Sequence, residues 1–205
     1  PKSKMIVVAH GLEITRIKSS SELKVINNVI SSSDIVLAVS RFTRDEIKNK
    51  LKDIDTSHVK FLPNGVDTNR FYQTEVKADF YNKYKIPQNS DLILTLARII
   101  KRKAHDDVLR ALPDVLSQFP KAHYIIAGPH RKEDSYFSSL NKLVGELSLQ
   151  KHVTFIDFLP DKDLKKIYSI SKVYVMPSRN LHETGDSEGF GITFLEANAC
   201  GCPVI

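Results

Sequence analysis

Short runs of apolar, often β-branched residues alternate along this chain with longer stretches whose apolar positions recur every three or four residues. Residues 5–9 (MIVVA) and 35–39 (IVLAV) have the all-apolar character of strands covered on both faces, and 59–62 reads as a third strand. Between the first two, Leu23, Ile26, Val29 and Ile30 fall at helical spacing. Thr43-Arg44-Asp45-Glu46 has the T-x-x-E form of a capping box, opening a helix through Ile47 and Leu51. The alternation strengthens after residue 91. Strands are expected at 92–97, 122–127, 153–156 and 173–176, and helices at 105–119, 135–149, 161–170 and about 191–200. A long loop fills 177–187, and a last strand runs to Ile205.

Strands of four to six residues separated by helices specify βαβ units, hence parallel sheets with helices on both faces. Two such series are separated by residues 66–90, which are polar, tyrosine-rich and close on Pro87-Gln88-Asn89-Ser90. The expected fold class is α/β with doubly wound, Rossmann-like parallel sheets. The expected divisions are a first domain at 1–70, a linker at 71–90 and a second domain at 91–205. Ligands of such folds bind at the carboxyl ends of strands, so chemistry is sought in the loops that follow them.

Composition narrows the classes. With 41% hydrophobic and 26% charged residues, the 205-residue chain is neither disordered nor fibrous. No apolar run approaches the roughly 18 residues of a membrane span, and residues 1–4 lack the layout of a secretory signal. Cys200 and Cys202 are too few for a disulfide framework and fit a structural role or a reducing compartment. A net charge of +6 favours anionic partners such as phosphates but is too dispersed to argue for nucleic acid. There is no G-x-x-x-x-G-K-[ST] loop, and Gly189-Phe190-Gly191 is only half of a dinucleotide fingerprint, so a dinucleotide oxidoreductase is not expected. No metal site is assigned: the pairs Asp53/Asp55 and Asp161/Asp163 lie at helix ends, where capping and turn formation account for them.

Two loops carry candidate chemistry. After strand 92–97 come Arg98, Lys101, Arg102 and Lys103, four cations ahead of a helix N-terminus whose amides and dipole already favour an anion. Such a loop suits a diphosphate; it is equally the pattern of a solvated basic turn. Further on, Glu188 and Glu196 bracket seven residues that include Gly189 and Gly191. The glycines would let backbone approach a ligand closely and leave amides exposed at a helix start. At 1.5 Å rise per residue the two carboxylates would stand on the order of 12 Å apart, about the separation of hexose and ribose in a nucleotide sugar. An ordinary loop acid and an ordinary helix acid would give the same spacing.

This nine-residue element resembles the E-x7-E motif of the retaining glycosyltransferase family 4 enzymes of GT-B fold, in particular their mannosyltransferase-like members. Val39-Ser40-Arg41-Phe42-Thr43 and Leu62-Pro63-Asn64-Gly65-Val66-Asp67 are similar to two further family segments. The pattern from Arg98 to Lys103 resembles the family's R-x4-K diphosphate clamp. Ala127-Gly128-Pro129, Ser178 and Ala199-Cys200-Gly201-Cys202-Pro203-Val204-Ile205 match later landmarks in order. The resemblance implies that Arg98 and Lys103 neutralise the donor diphosphate, that Glu188 meets the donor hexose and that Glu196 binds ribose. The segment Gly189, Phe190, Gly191 and Ile192 would contact sugar and phosphate through its amides. His10 in His10-Gly11-Leu12-Glu13 resembles a histidine facing the reaction centre, although a histidine that merely closes a strand fits as well. Ala104 departs from the glycine usual after the clamp lysine, and the loop 158–162 is where similar proteins hold the base.

The function implied is retaining, metal-independent hexosyl transfer from a nucleotide-diphosphate sugar, GDP-mannose first and a UDP-sugar next, to a hydroxyl of a glycan or lipid-linked acceptor. No cofactor is expected, the nucleotide sugar being a substrate. Two alternatives stay open: a non-catalytic nucleotide-sugar-binding fragment, and a sugar-nucleotide epimerase of the same architecture. The first domain is read as the C-terminal part of an acceptor-side domain and the second as a donor-binding domain cut off at its C-terminal end, so the piece alone is expected to be inactive. The expected setting is cytoplasmic, with room for peripheral contact at the membrane face, which no amphipathic helix demands.

Overall fold

The computed structural model describes residues 3–130, 135–181 and 183–205. The chain divides into two compact units, one made of Pro1–Gly65 with Arg179–Gly191, the other of Val66–Ser178 with Ile192–Ile205. The long loop 177–187, apart from residue 182, is therefore largely a part of the first unit. By its contacts the first unit's leading segment ends at Gly65, five residues before the boundary drawn from sequence.

In the first unit, β1 (Ile6–Ala9), β2 (Ile35–Ala38) and β3 (Val59–Phe61) pair in parallel in the order β1-β2-β3. Ile6 aligns with Ile35, and Ala38 with Phe61. The helices are α1 (Leu12–Thr15), α2 (Ser20–Ser32) and α3 (Arg41–Lys50). Ala9, Val36, Ala38 and Val59 pack with Ile14, Ile30 and Ile47 from the helices. The intervening strand residues Ile6 and Val8 are 60% and 51% exposed. All three helices contribute to the core on the Ala9 face of this sheet. The capping box also differs from expectation. Ser40 Oγ accepts from Thr43 N at 2.9 Å, so α3 starts one turn earlier and Glu46 falls inside it. A reciprocal box is formed instead by Ser19 and Glu22 at the start of α2.

In the second unit, β4 (Asp91–Leu96), β5 (Ala122–Ala127), β6 (Val153–Ile156) and β7 (Val173–Tyr174) form a parallel sheet in the order β6-β5-β4-β7. Val204 continues it beside Tyr174. Leu92, Leu94, Ile125 and Ala127 face a core shared with Tyr168 and Tyr174, while Tyr124 and Ile126 face Leu109, Leu112 and Leu140. Both faces are covered, and a doubly wound fold follows. The first strand of this series, β4, has β5 on one side and β7 on the other, so the order reverses between β4 and β7. That gap is the topological switch point. The remaining helices are α4 (Ala78–Tyr84), α5 (His105–Gln118), α6 (Ser135–Glu146), α7 (Asp161–Ile170) and α8 (Ile192–Ala199).

Residues 71–90 do not behave as a linker. Phe71, Phe80 and Ile86 are buried in the core of the second unit, and α4 lies within the segment. Asp163, expected to cap α7, is 2% exposed and accepts from Lys83 Nζ (2.7 Å), Tyr84 Oη (2.7 Å) and Lys166 Nζ (3.0 Å). Burial alone would raise its carboxyl pKa, but these three donors outweigh it and hold the group well below the usual carboxylate range. Asp163 ties the segment to α7, which explains how a polar stretch joins a core.

Candidate functional site

The basic loop begins where β4 ends. Ala97 N donates to Ala127 O (2.9 Å) and Ile99 N to Pro129 O (3.1 Å), which pins the loop to the end of β5. Gly128 makes this approach feasible. It sits at φ 148°, and a Cβ there would lie 2.0 Å from Ala97 O. Arg98 is exposed, whereas Lys103 and Arg102 are buried. Lys103 Nζ lies 3.2 Å from Met176 Sδ, just past β7, so the lysine reaches the switch point from the β4 side. A short 3-10 turn, Lys101–Lys103, leads to Ala104 at φ 55°, ψ 37°. This left-handed backbone costs an alanine about 1–2 kcal/mol and gives a physical reason for the glycine that the family pattern carries there.

His105 opens α5 and is fully buried, with Nε2 3.3 Å from Arg98 O. Burial lowers its pKa to about 4, and the Arg98 carbonyl only partly offsets that. The ring is therefore neutral at pH 7 and donates from Nε2. Asp106, beside it at the same helix start, accepts from Tyr136 Oη at 2.6 Å.

On the other side of the switch point, Tyr174 Oη donates to Leu96 O (3.1 Å) and to Thr193 Oγ1 (2.7 Å) as alternative acceptors. This brings the first turn of α8 to the carboxyl ends of β4 and β7. One turn further, Glu196 accepts from Tyr168 Oη at 2.8 Å. Tyr168 is fully buried in α7, and burial, followed by the nearby Glu196 charge, raises its pKa, so the phenol stays a donor. The glutamate's orientation is fixed from behind. Arg98, Lys103, Ile192 and Glu196 are thus gathered by one unit around one strand gap.

The first unit holds the other candidates. His10 is exposed at the end of β1, and Glu13 folds back to accept from His10 N (2.6 Å) and Gly11 N (3.0 Å). Gly189 packs on this turn so closely that a Cβ would lie 2.0 Å from His10 O. The close approach read from sequence as one to a ligand is one to backbone. Gly185, at φ 71°, does the same at Thr15 O, and Arg16 pairs with Asp186, so the loop carrying Glu188 is held against the His10 turn and α1. Gly191 sits at φ 81°, just before α8. Glu188, Phe190 and Gly191 belong to this unit with His10. Since α8 begins only at Ile192, the helical rise does not apply from Glu188 onward, and the 12 Å expectation loses its basis.

Tyr168 and His105 were not singled out from sequence. The only trace of Tyr168 is its place on the apolar stripe Leu164, Ile167, Tyr168 of α7. Phe158, in the loop where similar proteins hold the base, is 73% exposed just past β6. Among the described residues no group of three or more His, Cys, Asp or Glu is placed to hold a metal ion, and no helix is long and apolar enough to cross a membrane.

Residues 76–205 match the family described as glycosyl transferases group 1, and residues 1–70 match glycosyltransferase family 4. A GDP-mannose-dependent monoacylated α-(1-6)-phosphatidylinositol monomannoside mannosyltransferase of Corynebacterium glutamicum is 30% identical over 99% of this chain and 52% of its own length. The GDP-mannose-dependent α-(1-6)-phosphatidylinositol monomannoside mannosyltransferase of Mycolicibacterium smegmatis is 28% identical over 98% and 51%. The chain spans about half the length of these curated relatives. Among solved structures, Anabaena HepE in complex with UDP aligns with a TM-score of 0.79 at 21% identity, covering 98% of this chain and 52% of that one. Matched over well more than half its length, the chain belongs to the glycosyl transferases group 1 family.

Proposed function

We propose that this chain carries the donor-binding machinery of a retaining, metal-independent hexosyltransferase that uses a nucleoside-diphosphate sugar, with GDP-mannose favoured. The observation that carries the reading is the gathering of Arg98, Lys103 and the start of α8 at the β4/β7 switch point. Two cations and a helix start at one strand gap suit a diphosphate. The curated relatives named above support mannose and a lipid-linked acceptor.

In this reading Arg98 and Lys103 offset the charge that develops on the leaving diphosphate as its bond to the sugar carbon breaks. The acceptor oxygen bonds to that carbon on the same face, and its proton passes to the departing phosphate oxygen. Glu196, oriented by Tyr168, accepts from the ribose hydroxyls. Glu188 meets the hexose, the amides of Phe190, Gly191 and Ile192 meet sugar and phosphate, and His10 faces the acceptor.

Calorimetry with GDP, UDP and ADP side by side tests the donor assignment. Tightest binding of GDP, weakened at least tenfold by Lys103→Ala, is expected. Equal binding of all three, or none, overturns it. Incubation with GDP-mannose and an acceptor, read by the anomeric proton signal of the product, separates transfer from binding alone and from epimerisation of the donor.

A further inference from the structure

We infer that Arg16 and Asp186 are positioning residues, an ion pair that fixes the loop before Glu188 on α1 and so keeps that acid in register with His10. This rests on the proposed function, in which Glu188 meets the hexose and His10 faces the acceptor, and adds what sets one against the other. Asp186 lies two residues before Glu188, and α1 starts two residues after His10, so one short helix is the reference for both groups.

Each end of the pair is held by its own backbone. Arg16 N donates to Leu12 O (3.0 Å) at the end of α1, and Lys50 Nζ donates to Ile14 O and Thr15 O (both 2.9 Å), which ties that end to α3. Asp186 N donates to Leu181 O (3.2 Å) and Leu181 N donates back to Asp186 O (2.7 Å), so the aspartate closes a turn of the loop. Gly185 and Gly189 bring this loop onto Thr15 and His10, but they do so by contacts between backbones, which set a distance without setting a direction. The charged hydrogen bond from Arg16 Nε to the Asp186 carboxylate supplies the direction. Packing on the far side does not replace it. There a cavity of ≈ 250 Å³ separates the loop from α3, with Phe42, Glu46 and Ser187 in its lining, and Ser187 Oγ is buried without a hydrogen-bond partner.

The test uses the intact protein, with GDP-mannose turnover read as GDP release and GDP binding read by calorimetry (UDP-glucose and UDP if that nucleotide binds more tightly). Arg16→Ala and Asp186→Asn should each lower kcat about tenfold, short of the roughly 100-fold cost of a full 1 Å displacement, because the glycine contacts remain. GDP lacks the hexose and should bind both variants as it binds wild type. Melting temperatures should stay near wild type, since a pair whose arginine is half exposed adds little to stability. The double variant should be no slower than the slower single, as expected of two residues that act through one contact. Arg16→Lys keeps the charge and should recover most of the rate. Unchanged turnover in both singles, losses that multiply in the double, or nucleotide affinity that falls in step with kcat overturns the inference. So does an Arg16→Lys variant as slow as Arg16→Ala. If Arg16→Ala does not fold, Asp186→Asn decides. A wild-type protein that binds neither nucleotide, or turns over neither donor, defeats the hexosyltransferase reading and this inference with it, whereas wild-type turnover that the variants share defeats the positioning role alone.

Discussion

Replacing Gly189 with alanine tests whether the first glycine of the E-x7-E element serves backbone packing. The new Cβ would stand 2.0 Å from His10 O and 3.2 Å from His10 C, where real Cβ contacts stay beyond 3.0 Å. At least 1 Å must therefore be opened between two stretches of backbone, neither of which can rotate aside. Overpacking of this kind costs about 1–3 kcal/mol, and the lower entropy of unfolded alanine returns about 0.4–1 kcal/mol. A net loss of about 1–2 kcal/mol is expected. Turnover should suffer more, since a displacement near 1 Å costs on the order of 100-fold, or about 2.7 kcal/mol of transition-state stabilisation. The assay pairs thermal unfolding with steady-state transfer from the sugar nucleotide. Gly145→Ala is the control, because nothing lies within 4 Å of its added Cβ and it sits in α6, where alanine gains about 0.5–1 kcal/mol. If Gly189→Ala melts with wild type and turns over within twofold of it, the packing account is wrong.

Gly128→Ala should act on the diphosphate side, since its Cβ would meet Ala97 O at 2.0 Å and push the Arg98 loop off β5; calorimetry should find nucleoside-diphosphate affinity down at least tenfold, and unchanged affinity would refute the link. Tyr168→Phe removes the donor to Glu196 at a cost of about 1 kcal/mol in stability; UDP and GDP should bind more weakly while inorganic diphosphate is unaffected, and equal losses would show that Glu196 does not serve the ribose. His105 has a folded pKa of about 4 against about 6.5 unfolded, so its contribution is present above pH 6.5 and is lost as pH falls towards 4. Urea unfolding across that window should show a decline of at most about 3.4 kcal/mol from this residue, flattened in His105→Gln; an identical slope in the variant would exclude His105 as a source.

Most of the α/β order is legible in the chain because its strands are short apolar runs between helices with clear stripes. The failures share a cause. Residues 71–90 look like a linker because each apolar residue in them stands alone, yet Phe71, Phe80 and Ile86 are buried by partners far along the sequence. Asp163 looks like a helix cap because nothing local marks Lys83 and Tyr84, about eighty positions away, as its partners. Ser40 displaced Thr43 as the cap of α3 because both have a suitable hydroxyl, and a pattern of residue types does not decide which backbone turns first. The site divides in the same way. Arg98, Lys103, Glu188 and Glu196 are readable as charged residues in loops and helix starts, while Tyr168 and His105 hide as ring residues of helices. What they do depends on the acceptor at the far end of one hydrogen bond.

The seven-residue interval between Glu188 and Glu196 acquires a different meaning once each end is traced to its support. Read as one helix it would be a rigid ruler, and any change along it would displace both carboxylates together. Only Ile192–Ala199 is helical, and the chain passes from one unit to the other between Gly191 and Ile192. Glu196 is oriented by Tyr168 and by a helix start pinned to β4 through Tyr174. The loop before it is seated on the His10 turn and α1 through Gly189, Gly185 and the Arg16–Asp186 pair. Glu196 and the loop that carries Glu188 are thus supported within different units. Gly191, at φ 81°, sits at the changeover, where a side chain would resist the backbone turn. The two glycines of the motif therefore do different work: Gly189 permits a close approach of backbone to backbone, and Gly191 permits the turn that lets a loop in one unit become a helix in the other.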